Sequence, residues 1–189
     1  MGDIMSKIRS FLAIEVEDVL LNKIYDIEKD FKNIDANIKY VPTKNMHFTL
    51  KFFGNINEEM IDKISCSVEK VLENHKPFEI DISGSGAFPN ENRIKVIWVG
   101  IKNNSNLKSL QEDLDVSFNK LGFELERNYV SHLTIGRMKN AKNKNLVQDK
   151  IKKYHNYEIG KMTVSSIVLK KSTLTPKGPI YENIKEFTL

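Results

Sequence analysis

Two patterns of apolar spacing alternate along this chain, and their order limits the fold more than any other feature of the sequence. Spacings of three and four mark amphipathic helices. They occur at Val19, Leu20, Ile24, Ile27, Phe31 and Ile34, at Met60, Ile64, Val68, Val71 and Leu72, and at Leu107, Leu110, Leu114, Phe118 and Leu121. A fourth, lysine-rich helix is expected over 143–154. Strand-like runs lie between them, at 9–16, 38–41, 46–53, 78–83, 94–101, 123–128, 131–137, 157–170 and 179–184. Asn57 is placed to cap the second helix and Gly122 to end the third. The turn formers of 83–89 read as a loop. The resulting order is β-α-β-β-α-β-β-α-β-β-α-β-β, in which short turns between neighbouring strands favour antiparallel pairing. An α+β fold is expected. The repeated β-β-α unit points to two pseudo-symmetric lobes, helices outside, around a central cleft. No Gly-, Pro- or Ser-rich linker interrupts the 189 residues, so 1–189 is expected to form a single bilobal domain.

Composition removes several classes. The one cysteine, Cys66, rules out an intramolecular disulfide and a multi-cysteine metal site, and its place in a helix reads as a small buried apolar residue. No run of eighteen apolar residues is present, so no membrane-spanning helix is expected. The apolar stretch at 11–14 meets Glu15, Glu17 and Asp18 at once, unlike a secretory signal, which favours a cytoplasmic protein. Met1 to Ser6 fits the short myristoylation pattern at Gly2. The net charge is only +4, and 29 cations include just four arginines. That is a lysine-heavy composition rather than the basic stripe of a dedicated nucleic-acid binder.

One tetrapeptide recurs. His47-Phe48-Thr49-Leu50 and His132-Leu133-Thr134-Ile135 each set a histidine and a threonine two residues apart between apolar neighbours, on a strand of each expected lobe. Side chains alternate along a strand, so each His and Thr share a face while Phe48, Leu50 and Phe52, and Leu133 and Ile135, turn to the core. Two such strands across a cleft supply two imidazoles and two hydroxyls. Near neutral pH one imidazole can act as general base and the other as general acid. The hydroxyls can donate to phosphate oxygens whose charge grows during displacement. Phosphodiester chemistry of this kind requires no metal.

At these residues the chain resembles the two-histidine (2H) phosphoesterase superfamily, and within it the branch of RNA 2′,3′-cyclic phosphodiesterases, historically 2′-5′ RNA ligases. The likeness also covers Arg9 to Ile14, the flanks of the first motif from Asn45 to Gly54, Gly86 to Pro89 with Ile97 to Gly100, and Ser172 through Tyr181. Ser131 stands where the family usually has proline. The resemblance implies two α+β lobes of antiparallel sheet around a cleft. It also implies hydrolysis of RNA 3′ ends carrying a 2′,3′-cyclic phosphate, tRNA fragments among them, to a 2′-phosphate. The acting protein would be monomeric, without metal or other cofactor. His132 would be the proton acceptor and His47 the proton donor, with Thr49 and Thr134 on the phosphate. The reverse reaction would join RNA in 2′-5′ linkage. Linear 2′-5′ oligonucleotides or small cyclic phosphates as substrates, and a non-catalytic module that holds RNA ends, remain the alternatives.

Further candidates are weaker. Arg137 sits where the branch often has a phosphate-facing arginine, yet strict alternation from His132 turns it to the opposite face unless a bulge redirects it. Tyr129 and Phe88 are candidate base-stacking platforms, whereas Trp98, within an apolar run, reads as core. His75 and His155 read as surface residues, and the lysines of 139–153 as a solvated helix face. No Gly-rich phosphate cradle with a following lysine is present, which argues against use of a nucleoside triphosphate.

Overall fold

The computed structural model describes residues 7–102 and 105–189; the myristoylation pattern at Gly2 lies outside them. The strands are β1 (Ile8–Glu15), β2 (Ile38–Tyr40), β3 (His47–Ile56), β4 (Phe78–Asn90), β5 (Arg93–Lys102), β6 (His132–Met138), β7 (Glu158–Val164), β8 (Ser166–Thr175) and β9 (Gly178–Thr188). The helices are α1 (Asp18–Lys32), α2 (Glu58–Leu72), α3 (Ser105–Asn119) and α4 (Lys144–Lys153), with a short 3-10 turn at Thr43–Asn45. One sheet has the order β3-β1-β8-β9 and the other β2-β6-β5-β4-β7. Every pairing among the described residues is antiparallel.

The two sheets share one plan. β3, β1, β8 and β9 correspond in order to β6, β5, β4 and β7, with β2 added beside β6. In each half a first strand (β1 or β5) leads into a helix, then the strand bearing the His-Thr motif, then a second helix. The halves are also interleaved. After α2 the chain crosses to lay β4 beside β5, and after β7 it returns to lay β8 beside β1. Two helices cross likewise, α1 to β7 and α3 to β3, whereas α4 stays on the sheet of β6. α4 accepts a hydrogen bond at Ile151 from Ser85 of β4, and α1 meets β7 where Lys23 Nζ donates to the Ile159 carbonyl. On the other sheet, α3 meets β3 through Phe53 and Phe118, with ring centroids 4.9 Å apart. Their apolar faces are buried as the spacing requires: Ile24 and Phe31, Ile64 and Val68, Leu107 and Leu110, Val147 and Ile151 are each at 0% exposure.

Four local expectations are corrected. Residues 83–89 are strand rather than loop, because Gly84, at φ 75°, absorbs a bulge between Ser83 and Ser85 while β4 stays paired to β5. The run 157–170 is two strands, broken at Ser165 where the chain leaves one sheet for the other. No strand forms over 123–128, where the Glu126 amide donates to Asp115 Oδ2 at 2.6 Å and so takes a side-chain partner instead of a neighbouring strand. Cys66 is exposed on α2 rather than buried. The caps are as expected, with Asn57 Oδ1 accepting from the Met60 amide at 2.9 Å and Gly122 at φ 97°.

One buried ion pair ties these parts together. Lys51 of β3 is 5% exposed and donates to Asp115 of α3 at 2.6 Å and to the Glu124 carbonyl at 2.5 Å. Removing one member of such a pair strands the other charge away from water. Lys51→Met is expected to cost about 3–5 kcal/mol in urea unfolding. Lys108→Met, at an exposed pair with Glu112, should cost less than about 1 kcal/mol. Equal costs would show that the buried pair does not hold the lobe together.

Candidate active site

The site is set by two bulges at equivalent places. Along β3, Glu15 pairs with His47, Ala13 with Thr49 and Leu12 with Lys51, so Leu50 is an extra residue. Along β6, Gly100 pairs with His132, Trp98 with Thr134 and Ile97 with Gly136, so Ile135 is extra. In each strand the inserted residue directly follows the motif threonine. A bulge reverses the alternation beyond it, which brings the residue five after each histidine onto the His-Thr face. Those residues are Phe52 and Arg137, and both line the cleft with His47, Thr49, His132 and Thr134. Phe52 is therefore not core, as strict alternation would have it, but 61% exposed; Lys51 takes the buried side in its place.

Each histidine is oriented the same way. His47 Nδ1 lies 2.8 Å from the Asn45 carbonyl, and His132 Nδ1 lies 2.8 Å from the Val130 carbonyl. A carbonyl only accepts, so Nδ1 carries the proton in both rings and Nε2 is left as the acceptor of the neutral imidazole. Aromatic neighbours hold the planes. His47 stacks on Phe11 at 4.7 Å and meets the edge of Tyr181 at 5.4 Å. His132 meets Phe88 edge-on at 4.7 Å and Trp98 at 6.5 Å.

Burial disfavours the charged form of both rings. It pushes His47 down to about 4, with the Lys170 ammonium acting the same way against the Asn45 bond and Glu15 carboxylate. Burial lowers His132 as well, reinforced by the Arg137 guanidinium. Both rings are thus neutral near pH 7. The cleft, about 630 Å³, is rimmed by Lys39, Lys44, Lys139 and Lys177, and among the described residues no carboxylate lines it. These four lysines are exposed and come from three separate stretches of chain, 39–44, 139 and 177, so only the fold brings them to one rim. Among the described residues, no group of three or more His, Cys, Asp or Glu side chains is arranged to hold a metal ion.

The remaining candidates separate. Tyr129 does not line this cleft; its hydroxyl donates to the Thr49 carbonyl at 3.0 Å, and burial raises it to about 12. Phe88 walls His132. Trp98 is half-buried beside His132 rather than core. The run Val96-Ile97-Trp98-Val99 is apolar throughout, so alternation could not tell its faces apart. His75 is not a plain surface residue, since its side chain is 12% exposed and Nε2 meets Asp113 at 2.9 Å. His155 has a 62% exposed side chain. Of the lysines of 139–153, Lys142 pairs with Asp35, and Lys150 and Lys153 pair with Asp30, while Lys142 and Lys153 stay 53% and 59% exposed.

Histidine proton resonances followed by NMR against pH should give a midpoint near 4 for His47 and one below 6.5 for His132. A midpoint above 6.5 for either ring would mean that burial does not govern it.

The comparisons agree with this geometry. The model of the LigT-like phosphoesterase family matches twice, over residues 14–98 and 99–181, each match holding one His-Thr motif. A protein named RNA 2′,3′-cyclic phosphodiesterase from Methanothermobacter thermautotrophicus is 43% identical over 183 residues, covering 97% of this chain and 100% of the relative. One of the same name from Methanocaldococcus jannaschii is 41% identical, covering 95% of this chain and 99% of the relative. Among solved structures, a Thermus thermophilus protein superposes with a TM-score of 0.81 at 23% identity, over 96% of this chain and 97% of that one. E. coli LigT bound to 3′-AMP superposes with a TM-score of 0.79 at 19% identity, over 97% of this chain and 98% of that one, a likeness of fold. With residues 14–181 matched by the family model and two relatives above 40% identity along nearly their whole length, the chain belongs to the LigT-like phosphoesterase family.

Proposed function

We propose that this protein is an RNA 2′,3′-cyclic phosphodiesterase that opens the cyclic phosphate at an RNA 3′ end to a 2′-phosphate. The observation that carries this reading is the paired geometry. Two histidines, each with Nδ1 tied to the carbonyl two residues earlier, line one cleft together with two threonines and an arginine. Relatives named for this activity cover 97% and 95% of the chain.

In the proposed mechanism His132 Nε2 takes a proton from water as the water oxygen attacks phosphorus. The bond to the 3′ oxygen breaks, and His47 Nε2–H protonates that oxygen as it leaves. Thr49 and Thr134 donate to the non-bridging oxygens, and the Arg137 charge balances the growing negative charge. Burial at His47 opposes its protonation, whereas the negative phosphate, once bound, favours it. With an alcohol in place of water, the same steps join two strands in 2′-5′ linkage. The chain would work as one bilobal unit over 1–189, a cytoplasmic monomer acting on RNA ends such as tRNA fragments.

The test is a short RNA ending in 2′,3′-cyclic phosphate, incubated with chelator present. The expected product is a 2′-phosphate, formed roughly 100- to 10,000-fold more slowly by His47→Ala and by His132→Ala. A 3′-phosphate product, or full activity in either variant, would overturn the assignment. The pH dependence follows from the two depressed histidines. One ring must be protonated and the other neutral, so kcat/KM should form a bell whose centre lies between two free-enzyme values that are both under 6.5. A maximum on the acid side of pH 6.5 is expected, and a maximum above pH 7 would contradict it.

A further inference from the structure

A carboxylate stands beside one of the two imidazoles, and a lysine already holds it. Register pairs Glu15 of β1 with His47 of β3, and Ala13 with Thr49. Glu15 therefore shares the His-Thr face and is the side chain directly across from His47. Side chains so placed have Cβ atoms about 5 Å apart, within reach of one another. In the other lobe the residue across from His132 is Gly100, which has no side chain. The two histidines are alike in their carbonyl partners and differ here: only His47 has a carboxylate as its cross-strand neighbour.

The lysine comes from the far side of β1. Lys170 of β8 pairs with Phe11, and Phe11 is the ring on which His47 stacks. Cross-strand partners share a face, so Lys170 also stands on the His-Thr face. Its ammonium donates to Glu15 Oε1. Glu15 lies four residues beyond Phe11 along β1, so the lysine stem runs along the strand past Ala13, whose methyl leaves it room. The Lys170 side chain is 11% exposed and that of Glu15 52%. Neither residue lines the cleft, so neither is placed to touch substrate. A buried ammonium with a carboxylate partner adds little stability over an apolar side chain of like volume. Stability therefore does not account for a lysine at this place.

The chemistry at Nε2 does account for it. His47 Nδ1 is tied to the Asn45 carbonyl, so Nε2 is the nitrogen left to serve the substrate. A carboxylate free to turn toward the ring would accept Nε2–H and compete with the leaving oxygen for that proton. We propose that Lys170 is a positioning residue for His47: it holds the Glu15 carboxylate off the imidazole, so that the Nε2 proton goes to the departing 3′ oxygen. The destination of that proton rests on the phosphodiesterase reading above. The other titratable groups facing His47 are Tyr181 from β9 and, across the cleft, His132 from β6. Burial raises the Tyr181 hydroxyl, which stays neutral, and His132 is neutral near pH 7. Glu15 and Lys170 thus supply the two opposite charges that act on this ring.

The test releases Glu15 and then removes it. In the full chain carrying Lys170→Met, the NMR midpoint of His47 should rise by about 1–3 pH units while that of His132 stays in place. Adding Glu15→Gln to that variant should bring the His47 midpoint most of the way back. On a short RNA ending in 2′,3′-cyclic phosphate, Lys170→Met should lower kcat about tenfold with little change in KM, and should move the pH maximum upward. The double variant should recover both. Folded-state resonances report folded molecules alone, so a loss of stability does not imitate the shift. An unmoved His47 midpoint, a His132 midpoint that moves as far, an unchanged kcat, or no recovery on adding Glu15→Gln overturns the proposal. Failure of the native chain to open any cyclic phosphate would instead overturn the phosphodiesterase reading, and the midpoints alone would then decide whether Lys170 holds Glu15 off the ring.

Discussion

One extra residue in each of two strands governs the chemistry this molecule can offer. Leu50 and Ile135 each break the alternation just after the motif threonine. Without the bulges, Phe52 and Arg137 would face the helices, and Lys51 would stand in the cleft. With them, a large apolar ring and a guanidinium enter the cleft from opposite strands, and the lysine ammonium goes inside to meet Asp115. The same displacement thus equips the cleft and supplies the buried charge that must be paired behind it.

That buried charge reaches the second histidine through an irregular segment. Residues 120–131 form no strand, yet they are held at several points. The Glu124 carbonyl accepts from Lys51, the Glu126 amide donates to Asp115, and the Tyr129 hydroxyl donates to the Thr49 carbonyl. The carbonyl of Val130, near the end of the segment, sets the tautomer of His132. β3 of one lobe therefore fixes the approach to the motif of the other. The crossing of β4 and β8 between the sheets couples the halves in the same sense.

The electrostatics of the cleft follow from its walls. Aromatic packing takes both imidazoles largely out of water and keeps them neutral, while a rim of lysines draws in an anion. Neutral bases inside a cationic rim suit a phosphate that brings its own negative charge and, on binding, makes protonation of one ring easier.

Periodicity and motif alone determined the α+β class, the positions of the helices, the antiparallel preference, and the meeting of two histidines and two threonines. Each rests on spacing within one segment, where a buried face has to recur at 3.6 or at two residues. What lay beyond local spacing was decided by tertiary structure. Whether 83–89 is loop or strand depended on β5 lying alongside to pair with it, and whether 123–128 is strand depended on Asp115 competing for its amides. The direction of Phe52, Lys51, Trp98 and Arg137 depended on register against a partner strand, which no single strand encodes. The lysine rim came from 39, 44, 139 and 177, brought together only when the sheets closed on each other. A strand's own sequence specifies that its faces differ; only the neighbour it pairs with decides which residues each face receives.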